Sequence, residues 1–513
     1  MHQLLDVAVR LRAEDDVAVL IRPLKAGVRL HAGTEVLELR QDIPAGHKLA
    51  VRAVAEEAPV HKYGQIIGFA RTAIAPGDHV HVHNVGMRDF ARQYEFGTEV
   101  RPLAPPDRPR SFLGYARADG RVGTRNYLAV ISSVNCSASV SQYVKARFPL
   151  EELRRDFPNV DGVLAFTHKS GCCVQPGEPY AMLQRVLAGL VRHPNIYGCV
   201  MIGLGCEGHQ LDRLRRDQAL DTPRPGQGPP TFLNIQAQGG ARKTTDAAAA
   251  ALAGLLPRAN EAARTEQPLS RLVLALNCGG SDGNSGITAN PALGVASDEL
   301  VRHGAASVLA ETPEIYGAEH LLTRRAVSRE VGERLLEHIR WWEAHVRLHG
   351  ATIDNNPSPG NRDGGLTTIY EKSLGALAKG GQAPLNAVYR YAEPITSAGF
   401  GFMDTPGFDP VSMTGLVCGG CNVGVFTTGR GSVYGCKPAP CVKVATNTPL
   451  FNWMNEDMDL NAGTVLEGRE TVEQVGRRIF EEIIAVASGR PTKSEAQGLG
   501  DEEFAPWILG PTF

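Results

Sequence analysis

The sequence lacks an excess of charge of either sign, and it lacks long apolar runs. Its 53 lysine and arginine residues nearly balance 55 aspartate and glutamate residues, which gives a formal net charge of -2. Because a general nucleic-acid binder needs a basic excess to hold phosphates, this balance argues against a nucleic-acid partner. No uninterrupted apolar run approaches the roughly 20 residues that cross a bilayer, so no membrane partner is expected either.

The N-terminus also lacks the features of a secretory signal. MHQLLDVAVRLRAEDD (1–16) is rich in charge, and its apolar stretch is too short for a signal peptide, so we expect a cytoplasmic protein. In that compartment the ten cysteines are expected to be free thiols, metal ligands or small buried hydrophobic residues rather than disulfides.

The chain of 513 residues is too long for a single core, and its pattern changes along its length. Short β-like runs split by turn signals predict a small β-rich domain over residues 1–100. Residues 101–112 contain four prolines and predict an extended linker. From residue 113 onward apolar strands alternate with amphipathic helices, with a proline- and glycine-rich loop at 222–230. This predicts an α/β body with a mostly parallel sheet, divided into a domain at 113–395 and a C-terminal subdomain at 396–513.

Four predicted strands of this body are each followed by a cysteine. In open parallel sheets ligands bind beyond the carboxyl ends of the strands, so these four thiols are predicted to meet at one sheet edge. Soft thiolates favour an iron–sulfur cluster, zinc or copper(I), whereas carboxylate and imidazole neighbours suit ferrous iron. The alternative is a set of thiols packed beneath loops. The four predicted metal ligands are Cys136, Cys172, Cys206 and Cys278.

Three acid–base candidates lie beside these cysteines. His168 and Glu207 follow two of the strands, and Asp282 lies in the stretch NCGGSDG (277–283), which follows a third. The glycines of that stretch leave room for the backbone to approach a ligand. Each of the three side chains is a candidate catalytic group or a hard metal ligand, and for Asp282 both roles stay open.

A glycine-rich loop nearer the C-terminus carries groups that suit an anion. TTGRGSVYGCKPAP (427–440) contains Arg430, Ser432 and Lys437, and basic groups beside free backbone N–H groups can hold a carboxylate or phosphate. Lys437 is also a candidate catalytic residue. A surface loop with two basic residues is the alternative.

The N-terminal domain carries a run of histidines. Alternation in HVHVH (79–83) places three imidazoles on one face of a strand, which indicates either a metal or substrate surface or a solvated strand face. The solvated face is favoured for His79, and a ligand role stays open for His81.

Thirteen stretches along nearly the whole chain resemble the altronate/galactarate dehydratase family of sugar-acid dehydratases. They are GHKLAVRAV, VHKYGQIIG, HVHVHNV, GYARADGRVGTRNYLAVISSVNC, THKSGC, GLGCE, NCGGSDGNSGITANPALG, ETPEIYGAE, NNPSPGNRDGGLTTIYEKSLGAL, FMDTPGFDPVSMTG, FTTGRGSVYGCKPAP, EDMDLNAG and DEEFAPWILG.

The resemblance implies a small antifreeze-like (SAF) domain ahead of a Rossmann-like catalytic body. It also implies dehydration of a hexonate such as altronate, or a hexarate such as galactarate, to a 2-keto-3-deoxy acid. The implied cofactor is Fe²⁺, with Mn²⁺ as a substitute, whereas the four thiols leave an iron–sulfur cluster as the alternative form. Further groups that we expect to bind the substrate are Arg125, Asn126, His47, Lys62 and His81.

Two other functions compete with the dehydratase. One branch of the family eliminates sulfite from sulfolactate, although its N-terminal and catalytic parts are typically separate chains. A sugar-acid-binding protein without catalysis is the second. A nucleotide-dependent dehydrogenase is disfavoured because no G-x-G-x-x-G motif joins a strand directly to a helix. The expected partners are a small sugar acid and, for assembly, a second copy of the chain.

Overall fold

The computed structural model describes residues 2–90, 92–222 and 229–510. Most of the proline- and glycine-rich loop predicted at 222–230 lies outside the described residues. In the parts that are described, no helix is long and apolar enough to cross a membrane.

The N-terminal domain consists of short strands in three small sheets, with orders β2-β3-β6-β9, β1-β4-β5 and β10-β8-β7. Turns separate the strands every few residues, as the sequence predicts. Gly46 lies in one of them with φ +79°, a conformation that a residue with a Cβ adopts only under strain. The strands are β1 (His2–Gln3), β2 (Ala8–Val9), β3 (Val17–Leu20), β4 (Arg29–Ala32), β5 (Glu35–Glu38), β6 (Lys48–Ala50), β7 (Pro59–Lys62), β8 (Gln65–Ala70), β9 (His79–Val80) and β10 (Val85–Gly86).

Residues 101–110 contain no helix or strand and lead into a unit built on a four-stranded parallel sheet, which we call the four-stranded unit (111–268). Its sheet order is β14-β13-β15-β16, and β12-β11-β17 form a separate antiparallel sheet. Its elements are β11 (Ser111–Ala116), β12 (Val122–Gly123), β13 (Tyr127–Ser132), α1 (Ala138–Lys145), α2 (Leu150–Asp156), β14 (Gly162–Phe166), α3 (Glu178–Arg192), β15 (Ile196–Gly203), α4 (Leu211–Asp217), β16 (Thr231–Asn234), α5 (Ile235–Gln238), α6 (Ala241–Glu261) and β17 (Thr265–Pro268).

The rest of the chain forms the seven-stranded unit (269–510), whose parallel sheet has the order β20-β21-β19-β18-β22-β23-β24. Its elements are β18 (Val273–Cys278), α7 (Ala289–Arg302), β19 (Ala306–Ala310), α8 (Glu319–Arg324), α9 (Arg329–Leu348), α10 (Pro359–Asp363), α11 (Ile369–Leu377), β20 (Leu385–Tyr389), β21 (Gly399–Met403), α12 (Asp409–Gly419), β22 (Val423–Thr428), β23 (Cys441–Ala445), α13 (Thr448–Trp453), β24 (Leu460–Asn461), α14 (Val472–Ala487) and α15 (Lys493–Ala496).

The predicted α/β class is confirmed, with a β-rich N-terminal domain ahead of a Rossmann-like body. The body contains two parallel sheets, however, and strands on both sides of residue 395 belong to the larger one. The division at 395/396 therefore does not coincide with a boundary between sheets. Helices cover both faces of each sheet, which is why strands such as β13 and β18 are apolar along nearly their whole length.

The strand order of the seven-stranded sheet creates a switch point between β18 and β22. The chain leaves β18 toward β19 on one side, whereas it leaves β22 toward β23 on the other side. Loops that diverge in this way open a crevice at the carboxyl ends of the two strands, where ligands of open α/β sheets bind.

Candidate active site

Two glycine-rich loops meet at this switch point. The carbonyl oxygen of Gly280, after β18, accepts hydrogen bonds from Gly429 N at 3.0 Å and from Arg430 N at 2.8 Å, after β22. A Cβ at Gly429 would lie 2.4 Å from Asp282 Oδ1, so a side chain at this position would separate the two loops. The exposed Arg430 side chain therefore extends from a backbone that is held at the crevice.

The Asp282 carboxylate holds these loops together. It is 5% exposed and accepts hydrogen bonds from Ser285 Oγ at 2.9 Å and from Thr446 Oγ1 at 3.0 and 3.1 Å. It also accepts bonds from the backbone N–H of Asn284 at 3.1 Å and from Asn447 Nδ2 at 3.3 Å. Burial raises the pKa of Asp282, and these donors oppose the rise. Because its lone pairs are used within the protein, Asp282 serves to position the loops.

A buried ion triad docks the N-terminal domain onto the seven-stranded unit. Lys48 Nζ lies 2.8 Å from one oxygen of Glu371, and Lys62 Nζ lies 2.9 Å from the other. Lys48 also donates to the Gly365 carbonyl at 2.6 Å. Burial lowers the pKa of Lys48 to about 8, whereas the two lysines hold the pKa of Glu371 far below its usual value despite its burial.

Docking brings three histidines to the switch-point loops. His47, His79 and His81, here called the histidine trio, each place one potential ligand atom within 4.8 Å of the others. His47 Nδ1 lies 3.0 Å from His79 Nε2, and His47 Nε2 lies 3.1 Å from the Asp363 carbonyl oxygen. The adjoining Gly46 packs against the backbone of the Asp282 loop, where a Cβ on Gly283 would lie 2.0 Å from its carbonyl oxygen.

The histidine trio has the properties of a metal site. Burial and neighbouring positive charge lower the pKa of His79 to about 3 and that of His81 to about 4, so both rings are neutral, the form that binds metal. Nδ1 of His81 is buried without a hydrogen-bond partner. The Asp363 carbonyl orients His47 through its other nitrogen, as outer partners of ligating histidines do. Imidazole donors suit Fe²⁺, whereas Mn²⁺ prefers carboxylate oxygens, which the trio does not supply.

A second group lies at the start of the same loop and is called the lysine–acid cluster. Lys379 Nζ lies 2.8 Å from Cys278 Sγ, and Lys372 Nζ lies 2.6 Å from Glu314 Oε1. Asn277, the residue before Cys278, donates to Asp409 Oδ1 at 3.2 Å. The cluster comprises Cys278, Glu311, Glu314, Lys372, Lys379 and Asp409.

The acids of this cluster differ in their proton affinity. Burial, and then the charge of Glu314, raise the pKa of Asp409 to about 7 and that of Glu311 well above its usual value. Against the effect of burial, Lys372 and Lys379 lower the pKa of Glu314. Both oxygens of Glu311 are buried without a hydrogen-bond partner, and its backbone adopts the left-handed region with φ +73°. Glu311 is therefore a buried acid with a raised pKa on a strained backbone.

The lysine–acid cluster does not fit a cation, although Cys278, Glu311 and Glu314 are close enough to share one. The ammonium groups of Lys379 and Lys372 already contact Cys278 Sγ and Glu314 Oε1, the atoms that a metal ion would have to bind. Burial raises the pKa of Cys278 to about 11, so the thiol is neutral. Glu314 offsets one of the two ammonium charges, and Asp409, with a pKa of about 7, offsets part of the other at neutral pH. The two ammonium groups of Lys372 and Lys379 make the cluster suit an anionic ligand rather than a cation.

Comparison with known proteins identifies the family of this chain. Three family models match it in order: the altronate/galactarate dehydratase SAF domain at 6–88, the D-galactarate dehydratase/altronate hydrolase second domain at 114–260, and the D-galactarate/altronate dehydratase C-terminal domain at 269–512. The chain belongs to the altronate/galactarate dehydratase family. The predicted SAF domain is thereby confirmed.

Individual relatives agree with the family models. Altronate dehydratase of Bacillus subtilis is 36% identical over 95% of this chain and 96% of its own length. Galactarate dehydratase (L-threo-forming) of Escherichia coli is 38% identical over 96% and 95%. The (2R)-sulfolactate sulfo-lyase subunit beta of Chromohalobacter salexigens is 32% identical over 77% of this chain and 96% of its own length.

In this member of the dehydratase family the four predicted cysteine ligands do not share a sheet edge, so that prediction is wrong. Cys136, Cys172 and Cys206 follow strands of the four-stranded sheet and are exposed, whereas Cys278 is the last residue of β18 in the seven-stranded sheet and is buried. The reason is that the two sheets repeat the same strand-then-loop pattern, which does not reveal where one sheet ends.

Other predicted residues have structural partners away from the switch point. Arg125 makes two hydrogen bonds of 2.7 Å to Glu495, and Asn126 donates to backbone carbonyls of the four-stranded unit. Lys437 pairs with Asp501 at 2.9 Å. His168 has a partner at each ring nitrogen.

The remaining predicted residues are distributed between the two units. Glu207 accepts hydrogen bonds from Ser133 Oγ and Gly205 N, on the four-stranded unit. Ser432 lies two residues after Arg430 at the crevice mouth, and its hydroxyl oxygen accepts a hydrogen bond from Tyr434 N. The structure therefore brings together His47, His81, Asp282 and Arg430, with Lys62 holding the domain that carries the histidines.

Sequence reasoning missed Glu311, Lys372, Lys379 and Asp409 and disfavoured His79. A signal was present for the lysines, because TIYEKSLGALAKG (368–380) is apolar or small on nearly every side of a helix. Such a helix is buried all round, so its two lysines, seven residues apart on one face, must also be buried.

Proposed function

We propose that this enzyme dehydrates a sugar acid, a hexonate or a hexarate, to a 2-keto-3-deoxy acid. Two relatives of full length are named as dehydratases of such acids. The observation that carries the proposal is the junction at the Asp282 loop. There the histidine trio, an exposed arginine and a buried acid–base cluster with two ammonium groups adjoin one stretch of backbone.

The reaction removes a weakly acidic proton next to a carboxylate and expels a hydroxyl group from the neighbouring carbon. Arg430 holds a substrate carboxylate at the crevice mouth. The buried ammonium groups of Lys372 and Lys379 stabilise the negative charge that develops as the proton leaves, because they act without the screening of water.

The acid and the base come from the pair of carboxyl groups whose pKa values are raised to different extents. Asp409, with a pKa of about 7, is the candidate base, because its ionised form is populated at neutral pH. Glu311, whose pKa burial raises well above its usual value, is the candidate acid for the departing hydroxyl group. Bound at the histidine trio, Fe²⁺ would act as a Lewis acid that withdraws charge from the substrate carboxylate.

The metal assignment predicts that His79→Ala loses bound iron. The enzyme is purified anaerobically, supplied with Fe²⁺, and its iron content is measured by plasma emission after desalting. We expect at least about tenfold weaker binding, because one of three imidazole donors is removed. His31→Ala, in a neighbouring sheet of the same domain, is the matched control and keeps its iron. Equal iron content in both variants would exclude the trio.

A panel of sugar acids tests the reaction. The enzyme with Fe²⁺ is offered altronate, galactarate, their epimers and sulfolactate, and 2-keto-3-deoxy acid and sulfite are assayed separately. We expect keto-deoxy acid from one hexonate or hexarate. Sulfite from sulfolactate would indicate the activity named for the relative that is 32% identical, whereas tight binding without turnover would indicate a binding protein. The cytoplasmic location and the homodimer stay predictions.

A further inference from the structure

Four of the ten cysteines are exposed, although free cysteine is among the most buried residue types. They are Cys136, Cys172, Cys173 and Cys206, and all belong to the four-stranded unit. Three loops carry them, following the adjacent strands β13, β14 and β15, so three neighbouring carboxyl ends each present a thiol at one sheet edge. The candidate active site uses none of these thiols.

Hydrogen bonds between the loops hold the thiols in a fixed arrangement. Asn135 N, next to Cys136, donates to the Ser170 carbonyl at 3.0 Å, which joins the first loop to the second. Gly208 N donates to the Cys172 carbonyl at 2.8 Å, which joins the third loop to the second. The three cysteines therefore lie on one connected piece of backbone.

Buried polar residues support this backbone from beneath. Glu207 accepts hydrogen bonds from Ser133 Oγ at 3.2 Å and Gly205 N at 2.6 Å, which ties the third loop to the first. His168 Nε2 lies 3.0 Å from the Ser132 carbonyl oxygen, and its Nδ1 accepts from Ser170 N at 3.2 Å. Glu207 and His168 are thus positioning residues for the loops that carry the thiols.

The thiols share one end of the sheet because their loops are hydrogen-bonded to one another, but they are not as compact as the ligands of a single ion. Thiolates about 2.3 Å from one zinc ion lie roughly 3.8 Å apart. Among the described residues, no three of these thiols lie within 4.8 Å of one another. A group of several metal ions keeps its thiolates farther apart.

We propose that Cys136, Cys172 and Cys206, one from each loop, bind an iron–sulfur cluster in the four-stranded unit. Thiolates are the ligands that such clusters use, and each thiol loses its proton as it binds iron. Ferrous iron, ferric iron and sulfide are the components that must be supplied, so that the cluster forms without a separate oxidant. The proposal goes beyond the proposed dehydration, since this site is built on a different sheet from the histidine trio.

The test measures iron, acid-labile sulfide and visible absorption of the full-length protein, reconstituted anaerobically with Fe²⁺, Fe³⁺ and sulfide. We expect sulfide and thiolate–iron absorption in the wild type, and about a tenfold or greater loss of both in Cys136→Ser, Cys172→Ser and Cys206→Ser. Cys199→Ala, a buried cysteine on β15, is the matched control and keeps both. Far-ultraviolet circular dichroism checks that each variant is folded.

A second comparison separates this site from the histidine trio. His79→Ala is expected to keep its sulfide and to lose the iron that binds without sulfide. Cys172→Ser is expected to lose its sulfide and to keep the iron that binds without sulfide. Zinc in place of iron, iron without sulfide, a disulfide between the exposed thiols, or sulfide retained in all three serine variants would each overturn the proposal. Catalytic activity enters none of these readouts, so failure of the dehydratase assignment would leave the test intact.

Discussion

Asp409→Asn is expected to lower kcat by about 10²–10⁴-fold, the range that a general base contributes. The substitution keeps the size of the side chain, and the amide oxygen can still accept the hydrogen bond from Asn277, which is 3.2 Å long. It removes the ability to take a proton. Because burial raises the pKa of Asp409 to about 7, the neutral amide should fold at least as well as the acid.

The dependence of kcat/KM on pH is a second test of Asp409 as the base. A base acts in its ionised form, so kcat/KM of the wild type is expected to rise with pH through about 7. In Asp409→Asn this rise should disappear together with most of the activity. The measurement is kcat/KM against pH on the sugar acid identified by the substrate panel.

Asp161→Asn is the matched control for Asp409→Asn. Asp161 is also buried with a raised pKa, but it lies on the four-stranded unit and accepts from Asn126 N at 2.6 Å. Its variant should keep both the rate and the pH profile. If Asp409→Asn left both kcat and the rise of kcat/KM with pH unchanged, the base would be another group. Equal losses of kcat in the two variants would point to a general effect of burying an amide.

The strands of the body were predictable from the sequence because they are buried on both faces. YLAVISSV (127–134) contains β13, and RLVLALN (271–277) overlaps β18, since apolar runs bounded by polar loops have few other conformations. The assignment of strands to sheets was not predictable. It depends on hydrogen bonds between strands far apart in sequence, and the repeated pattern is the same in both sheets.

The candidate site was predictable where it lies directly after a strand or in a local motif. Asp282 and Arg430 follow β18 and β22, and His81 lies in the local motif HVHVH, although β9 ends at Val80 and His79 was expected to face solvent. Lys372, Lys379 and Asp409 lie on helical segments instead, so only the fold of the chain turns them toward Cys278. Arg125 and Lys437 were predicted as site residues from their positions near strands. In the structure each pairs with a carboxylate of the protein instead, because a basic residue near a strand pairs equally well with a structural carboxylate.

Glu371→Gln is expected to destabilise the protein by about 3–5 kcal/mol, the cost of removing one partner from a buried ion pair. The carboxylate and the Lys48 side chain are fully buried, and the Lys62 side chain is 2% exposed. Without the negative charge two ammonium groups remain close together in a region from which water is excluded. Urea unfolding followed by circular dichroism measures the change.

The exposed pair of Lys25 and Asp42 is the matched control, with side chains 83% and 57% exposed. Asp42→Asn should leave the free energy of unfolding nearly unchanged, since water already screens that pair. Adding Lys62→Met to Glu371→Gln should recover part of the lost stability by removing one unpaired charge. A cost for Glu371→Gln no larger than that of Asp42→Asn would contradict a docking role for the triad.

The same substitution also tests how the two parts of the site depend on each other. The triad fixes the N-terminal domain through β6 and β7, and His47 directly precedes β6. If docking is what brings the histidine trio to the Asp282 loop, Glu371→Gln should lower activity even at temperatures where the protein remains folded. It should do so without removing iron, because the trio lies entirely within the N-terminal domain. Activity lost with iron retained would thus locate the reaction between the two domains, and loss of both would instead indicate that docking also shapes the metal site.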